Sequence, residues 1–159
     1  MKITRVAFLG NADSKPEDPE YKAAVETAKI LAEKGYTIIN GGGPGIMRAA
    51  TEGAHKGGGK VMGITYYPEA KEQHFEGRDP ENKFDEEIVT ATYVERTLRI
   101  MSMADVYIIF NGGTGTISEF GMAWGLARLY FGHHKPLILY GAFWHEILEA
   151  FGRNMLIRP

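Results

Sequence analysis

No cysteine occurs in the 159 residues. That absence excludes disulfides and thiolate metal sites and is compatible with a reducing cytosol. Charge of one sign is not in excess: 18 basic against 20 acidic residues leave a formal net charge of −2. A nucleic-acid surface would carry a basic stripe, so no nucleic-acid partner is expected. Long apolar runs are missing as well. The start, "MKITRVAFLGNADSKPE", is apolar only briefly, too short for a signal peptide. Nothing later approaches the ~18 apolar residues of a membrane span. The expectation is a soluble, cytoplasmic protein with no membrane partner. No internal repeat interrupts the chain, and its length suits one domain over residues 1–159.

What the chain has in quantity is glycine, 20 residues, clustered between ordered apolar segments. The segments alternate in type. "RVAFLG" (5–10), "YTIIN" (36–40), "KVMGITYY" (60–67), a strand within "EEIVTATY", "DVYIIF" (105–110) and "KPLILYG" (135–141) read as short buried strands. Between them, 19–35, 41–58, 93–104, 115–132 and 142–154 read as helices, the second after a glycine turn. Alternation of this kind implies parallel pairing through right-handed crossovers. The expected fold is α/β: an open, doubly wound, Rossmann-like and mostly parallel sheet with helices on both faces. The polar, proline-broken segment 68–86 is long for a connection and reads as a lid or as a solvated surface loop.

Ligands of such sheets bind beyond the carboxyl ends of the strands. Both major glycine clusters fall there. "GGGPG" (41–45) follows the second strand and "NGGTG" (111–115) the fifth, and each opens a helix. Free amides at a helix N-terminus, with the helix dipole behind them, form an anion site, and glycine lets the backbone approach phosphate closely. Gly42, Gly43, Gly45, Gly112, Gly113 and Gly115 are therefore candidate phosphate- or nucleotide-binding residues, with Thr114 and Thr116 adding hydroxyls. The competing reading is a tight turn that packs helix on strand. Neither cluster fits a dinucleotide fingerprint, and "GGGKV" lacks the Ser or Thr of a P-loop. Arg96 and Glu119 belong to the first turns of helices that open on the same edge. They either face one cleft beside a bound phosphate or form a surface pair exposed to solvent.

"GGGPGIMRAATEGA", the Glu95-Arg96 pair and "GGTGTISE" (112–119) together resemble the LOG family of cytokinin riboside 5′-monophosphate phosphoribohydrolases, relatives once labelled lysine decarboxylases. Gly112, Gly113, Gly115, Thr116 and Glu119 match the family's Pro-Gly-Gly-x-Gly-Thr-x-x-Glu, and Arg96 matches its upstream arginine. Asn111 stands in place of the motif proline. Tyr93, Val94 and Thr97 stand where Met, His and Lys are usual, and Arg48 where an acid is common. The resemblance implies hydrolysis of the N-glycosidic bond of a nucleoside 5′-monophosphate such as AMP, with Arg96 and Glu119 catalytic and no metal or organic cofactor. It also implies a homodimer or higher homo-oligomer. Molybdenum-cofactor carrier proteins resemble the same glycine-rich fold, so a non-catalytic carrier is the alternative.

Other residues invite chemistry less. His133 and His134 are adjacent with no third ligand at useful spacing and read as a solvated turn. Lys135 lacks a partner for a pyridoxal group. Met122, Trp124, Leu126 and Tyr130 read as core or dimer-interface residues.

Overall fold

The computed structural model describes residues 2–67, 77–129 and 134–156. It contains strands β1 (Arg5–Leu9), β2 (Thr37–Asn40), β3 (Val61–Tyr66), β4 (Glu86–Thr90), β5 (Val106–Ile109) and β6 (Leu137–Leu139). The helices are α1 (Pro19–Glu33), α2 (Ile46–Lys56), α3 (Tyr93–Met103), α4 (Thr114–Leu129) and α5 (Phe143–Asn154). The strands form one sheet in the order β4-β3-β2-β1-β5-β6, and every pairing is parallel. The expected doubly wound α/β architecture is what the chain adopts. The expected lid falls partly on 68–76, outside the described residues.

Alternation along the strands sorts the core into two layers. Val6, Phe8, Ile38, Val61, Ile108 and Phe110 face α1 and α2. Ala7, Leu9, Ile39, Ile64, Tyr107 and Ile109 face α3, α4 and α5, where Ile100, Phe120 and Trp144 close the layer. The central strands are buried on both sides, as crossovers on both faces require. Edge strand β4 is not: its Glu86, Glu87 and Val89 are exposed, and the charges discourage further pairing.

The first layer is thin because small residues let α1 and α2 approach closely. Ala24, Ala28 and Ala32 of α1 meet Ala50, Gly53 and Ala54 of α2. A Cβ on Gly53 would stand 2.0 Å from the Val25 carbonyl oxygen. Real side chains never come that close, so the helices would have to separate.

At the amino end of the sheet one carboxylate ties β1 to β5. Asp105 Oδ2 accepts the Thr4 and Arg5 amides at 2.8 and 2.9 Å and the Thr4 hydroxyl at 3.0 Å. Partial burial opposes the charge, but these hydrogen bonds prevail and hold the Asp105 carboxyl below its ordinary 3.8.

Two outcomes follow for stability. Gly53→Ala should lower stability by about 2 kcal/mol or more, read as a fall in denaturant midpoint. Because the native pKa of Asp105 is depressed, its contribution is complete above about pH 4 and is lost as pH falls through the native value. Asp105→Asn should lower the neutral-pH midpoint and flatten its decline in acid, and a wild-type acid profile retained in the variant would refute the assignment.

Candidate active site at the sheet switch point

β1 has β2 on one side and β5 on the other. The chain leaves β1 for the α1 face and leaves β5 for the α4 face, so the two exits diverge and open a crevice between them. A cleft of about 460 Å³ lies there, lined from β1's exit by Gly10 to Asp13, from α2 by Met47, from α3 by Tyr93 and Arg96, and from α4's start by residues 113–116, Ser118 and Glu119.

Asn11 holds the rim together. Its amide donates to the Asn111 carbonyl (2.8 Å), its carbonyl accepts the Ile46 amide (3.0 Å), and its Oδ1 accepts the Asp13 amide (3.1 Å). The loops after β1, β2 and β5 thereby meet at one residue, whose two flanking peptides hold the other loops and whose side chain braces its own. Gly45 makes this possible: its φ is +61°, and a Cβ would come within 2.2 Å of the Asn11 oxygen.

The glycines of the two clusters fall into different environments. Gly42, Gly43 and Gly45 are buried and do not line the cleft. Segment 77–85 binds the first two and the β1 exit loop packs on the third: the Gly42 carbonyl accepts the Asp79 amide (2.9 Å) and the Gly43 carbonyl accepts Asn82 Nδ2 (2.8 Å). The Gly42 amide donates to Asn40 Oδ1 (2.8 Å). Arg48 fastens the same segment to α2 through Asp79 (3.3 Å) and Glu81. Gly112 is also internally committed, since a Cβ there would stand 2.1 Å from Thr116 Oγ1.

Gly113 differs from these. Its φ is not positive, and beyond its chain neighbours no described residue lies within 4 Å of where its Cβ would be. No contact among the described residues requires glycine at this position. Gly113, Thr114, Gly115 and Thr116 line the cleft, and their amides begin α4, where no intrahelical acceptors exist.

Arg96 and Glu119 meet at the cleft, Nη2 donating to Oε1 at 3.0 Å. They are 8% and 6% exposed, so the pair is buried and the surface-pair reading is excluded. Local sequence sets up the meeting. Thr92 Oγ1 caps α3 by accepting the Glu95 amide (3.1 Å), and Glu95 reaches back to the Ala91 amide (2.9 Å). The cap fixes the first turn and sends Arg96 inward. Gly41 leaves the guanidinium room, because a Cβ there would come 2.8 Å from Nη1. Arg96 Nε has no hydrogen-bond partner among the described residues. A buried donor beside an open cleft is what a polar ligand would satisfy.

Sequence reasoning missed Asn11, Gly41 and Tyr93. Asn11 sits in a loop with no glycine run to draw notice. The role of Gly41 depends on a guanidinium 55 positions away. Tyr93 was noticed only as a departure from a motif.

The remaining candidates lie elsewhere. Lys135 Nζ donates to the Met101 and Ser102 carbonyls at 2.7 and 3.1 Å, closing the end of α3, and burial lowers its pKa against the pull of Asp105. His134 hydrogen-bonds the Ala127 carbonyl, while His133 and Tyr130 fall outside the described residues. Among the described residues no three His, Asp or Glu side chains gather as a metal site would need. No helix among them is long and apolar enough to cross a membrane. A larger groove, about 710 Å³, separates α3 from α4 along apolar side chains such as Ile88, Leu98, Met101 and Leu126. It shares no lining residue with the cleft, and we place the site where amides, guanidinium and carboxylate converge.

Comparison with known proteins agrees with this architecture. The chain is 32% identical over 142 residues to an uncharacterised protein of Archaeoglobus fulgidus, covering 89% of this chain and 87% of that one. It is 30% identical over 140 residues to a cytokinin riboside 5′-monophosphate phosphoribohydrolase of Mycobacterium tuberculosis, covering 84% of this chain and 69% of the other. Among solved structures, a molybdenum cofactor binding protein from Rippkaea orientalis superposes with a TM-score of 0.68 at 26% identity, over 97% of this chain and 87% of that one. The sequence profile of the SLOG cluster4 family matches residues 3–151. The chain belongs to that family, within the LOG and lysine decarboxylase-like superfamily.

Proposed function

We propose that the protein hydrolyses the N-glycosidic bond of a nucleoside 5′-monophosphate, releasing a free base and ribose 5-phosphate. One observation carries the reading: the buried Arg96–Glu119 pair, 3.0 Å apart, shares a cleft with the open amide run 113–116. The 5′-phosphate rests on the amides and hydroxyls of residues 113–116, whose dipole favours an anion. Binding energy from that remote group positions the sugar over Glu119. As the C1′–N bond breaks, its electron pair leaves with the base and positive charge grows on the ribose. The Glu119 carboxylate stabilises that charge. Water adds to C1′, and its proton goes to the departing base. Arg96 fixes the carboxylate's orientation through its planar donor fork. The names of relatives such as the M. tuberculosis protein support this reading.

The chemistry so described uses no metal or organic cofactor. The same proposal has the chain working as one nucleotide-binding domain in the cytoplasm, with neither nucleic acid nor membrane as partner. It forms a homodimer through α4, where Met122, Trp124 and Leu126 pack partly against the core and stay partly accessible. The resemblance to the Rippkaea orientalis protein favours a second reading, a carrier that binds a phosphorylated cofactor without turning it over.

Incubation with AMP, followed by assay of adenine and ribose 5-phosphate, separates the two. Glu119→Gln keeps an oxygen for Arg96 but removes the charge. It should cut base release by about a thousandfold while ribose 5-phosphate affinity changes less than about threefold. Wild-type protein that binds AMP yet releases no base from any monophosphate would establish the carrier. Gly113→Val should leave the melting temperature unchanged, because no described residue opposes a side chain there. It should weaken every monophosphate about a hundredfold by blocking access to the amides, as calorimetry would show. Unchanged affinity would move the phosphate site elsewhere.

A further inference from the structure

Tyr93 opens α3 and lines the cleft, yet nothing above assigns it a task. Its surroundings fix which part of it can act. The Arg96 guanidinium lies over its ring, 4.8 Å from the centroid. Tyr66 of β3 makes an edge contact at 6.2 Å and 73°. With these neighbours the ring is engaged by the protein itself and is poorly placed as a stacking platform. The hydroxyl points the other way, towards α4. It stands 3.5 Å from where a Cβ on Gly115 would be, the one atom among the described residues beyond α4's own first turn to come within 4 Å of that point. Tyr93 thus brings a phenolic O–H across the cleft to the first turn of α4, whose amides have no intrahelical acceptors.

We infer that the Tyr93 hydroxyl is a ligand-binding group, donating a hydrogen bond to a phosphoryl oxygen held on residues 113–116. The inference rests on the proposed phosphate site. A buried guanidinium shares that cleft, with Arg96 only 8% exposed and its Nε without a partner among the described residues. The hydroxyl adds a directed donor, carried by α3, beside the first turn of α4. The anion is then gripped from α3 as well as α4. A Met at this position, usual in the family that the sequence resembles, offers no such donor.

The experiment is calorimetric titration of wild-type and Tyr93→Phe protein with ribose 5-phosphate and, separately, with inorganic phosphate. Phenylalanine keeps the ring under Arg96 and against Tyr66 and removes only the hydroxyl, so the melting temperature should not move. Both ligands should bind about tenfold more weakly, the loss of one hydrogen bond to a charged group. Tyr93→Met should show at least the same loss. Equal affinities in wild type and Tyr93→Phe would overturn the assignment and leave the phosphate site standing. A loss confined to ribose 5-phosphate would also overturn it, because the hydroxyl would then read the sugar. Failure of wild-type protein to bind either ligand would remove the phosphate site and this inference together.

Discussion

The Arg96–Glu119 pair is the constraint around which the carboxyl edge of the sheet is arranged. Each side chain is more than nine-tenths removed from water. Desolvating two charges costs several kcal/mol per ion in effect, and the 3.0 Å contact between them offsets that cost only when the geometry is fixed. The fold supplies the fixing. The Thr92 cap sets the turn that carries Arg96, the missing side chain at Gly41 opens its berth, and α4 presents Glu119 one turn in from its amide end. A hydrophobic pair of equal volume would serve packing as well or better. The polar pair is therefore poorly explained by stability, and its position in a cleft is what the proposed chemistry draws on. It also joins α3 to α4 at the edge where the groove farther along leaves them apart.

The two glycine clusters look alike in sequence and do different physical work. In the first, glycine is demanded from inside the protein. Gly45 needs its positive φ and the space beside Asn11, and the carbonyls of Gly42 and Gly43 are taken up by segment 77–85. In the second, Gly112 is internally demanded and Gly113 is not. A glycine with ordinary backbone angles and empty space before it is conspicuous, because it gives up conformational entropy with no packing return. The first cluster builds the wall against which the second can remain open.

Much of this was legible in the chain. Short apolar runs alternating with amphipathic stretches specified the parallel sheet, and the position of "NGGTG" after the fifth strand placed the cleft edge. The partnership of Arg96 and Glu119 could be guessed from helix starts on one edge, but its burial could not, since burial depends on Gly41 and on the closure of Thr92 over Glu95. The equal weight given to both glycine clusters was the natural reading of composition. The path of segment 77–85, set by Arg48 with Asp79 and by Asn82, and the packing of Gly45 on Asn11 distinguish them. Contacts between positions some 30 to 40 residues apart leave no local periodicity to read.

The charge inventory of the cleft bears on how an anion would be held. Arg96 is opposed by Glu119 at 3.0 Å, and the exposed Asp13 adds a second acid to the lining. No lysine lines it. Under the proposed reading, attraction for a phosphate comes from fixed dipoles and hydroxyls at the start of α4 rather than from net positive charge. Such donors act at contact distance and fade within a turn, so they discriminate by fit and contribute little long-range steering. A site of this kind favours a ligand with one compact anionic group joined to a neutral body. Under that reading each further phosphate would meet Asp13 and Glu119, with Arg96, already paired to Glu119, as the one cation among the described lining residues, which favours a monoester over a polyphosphate.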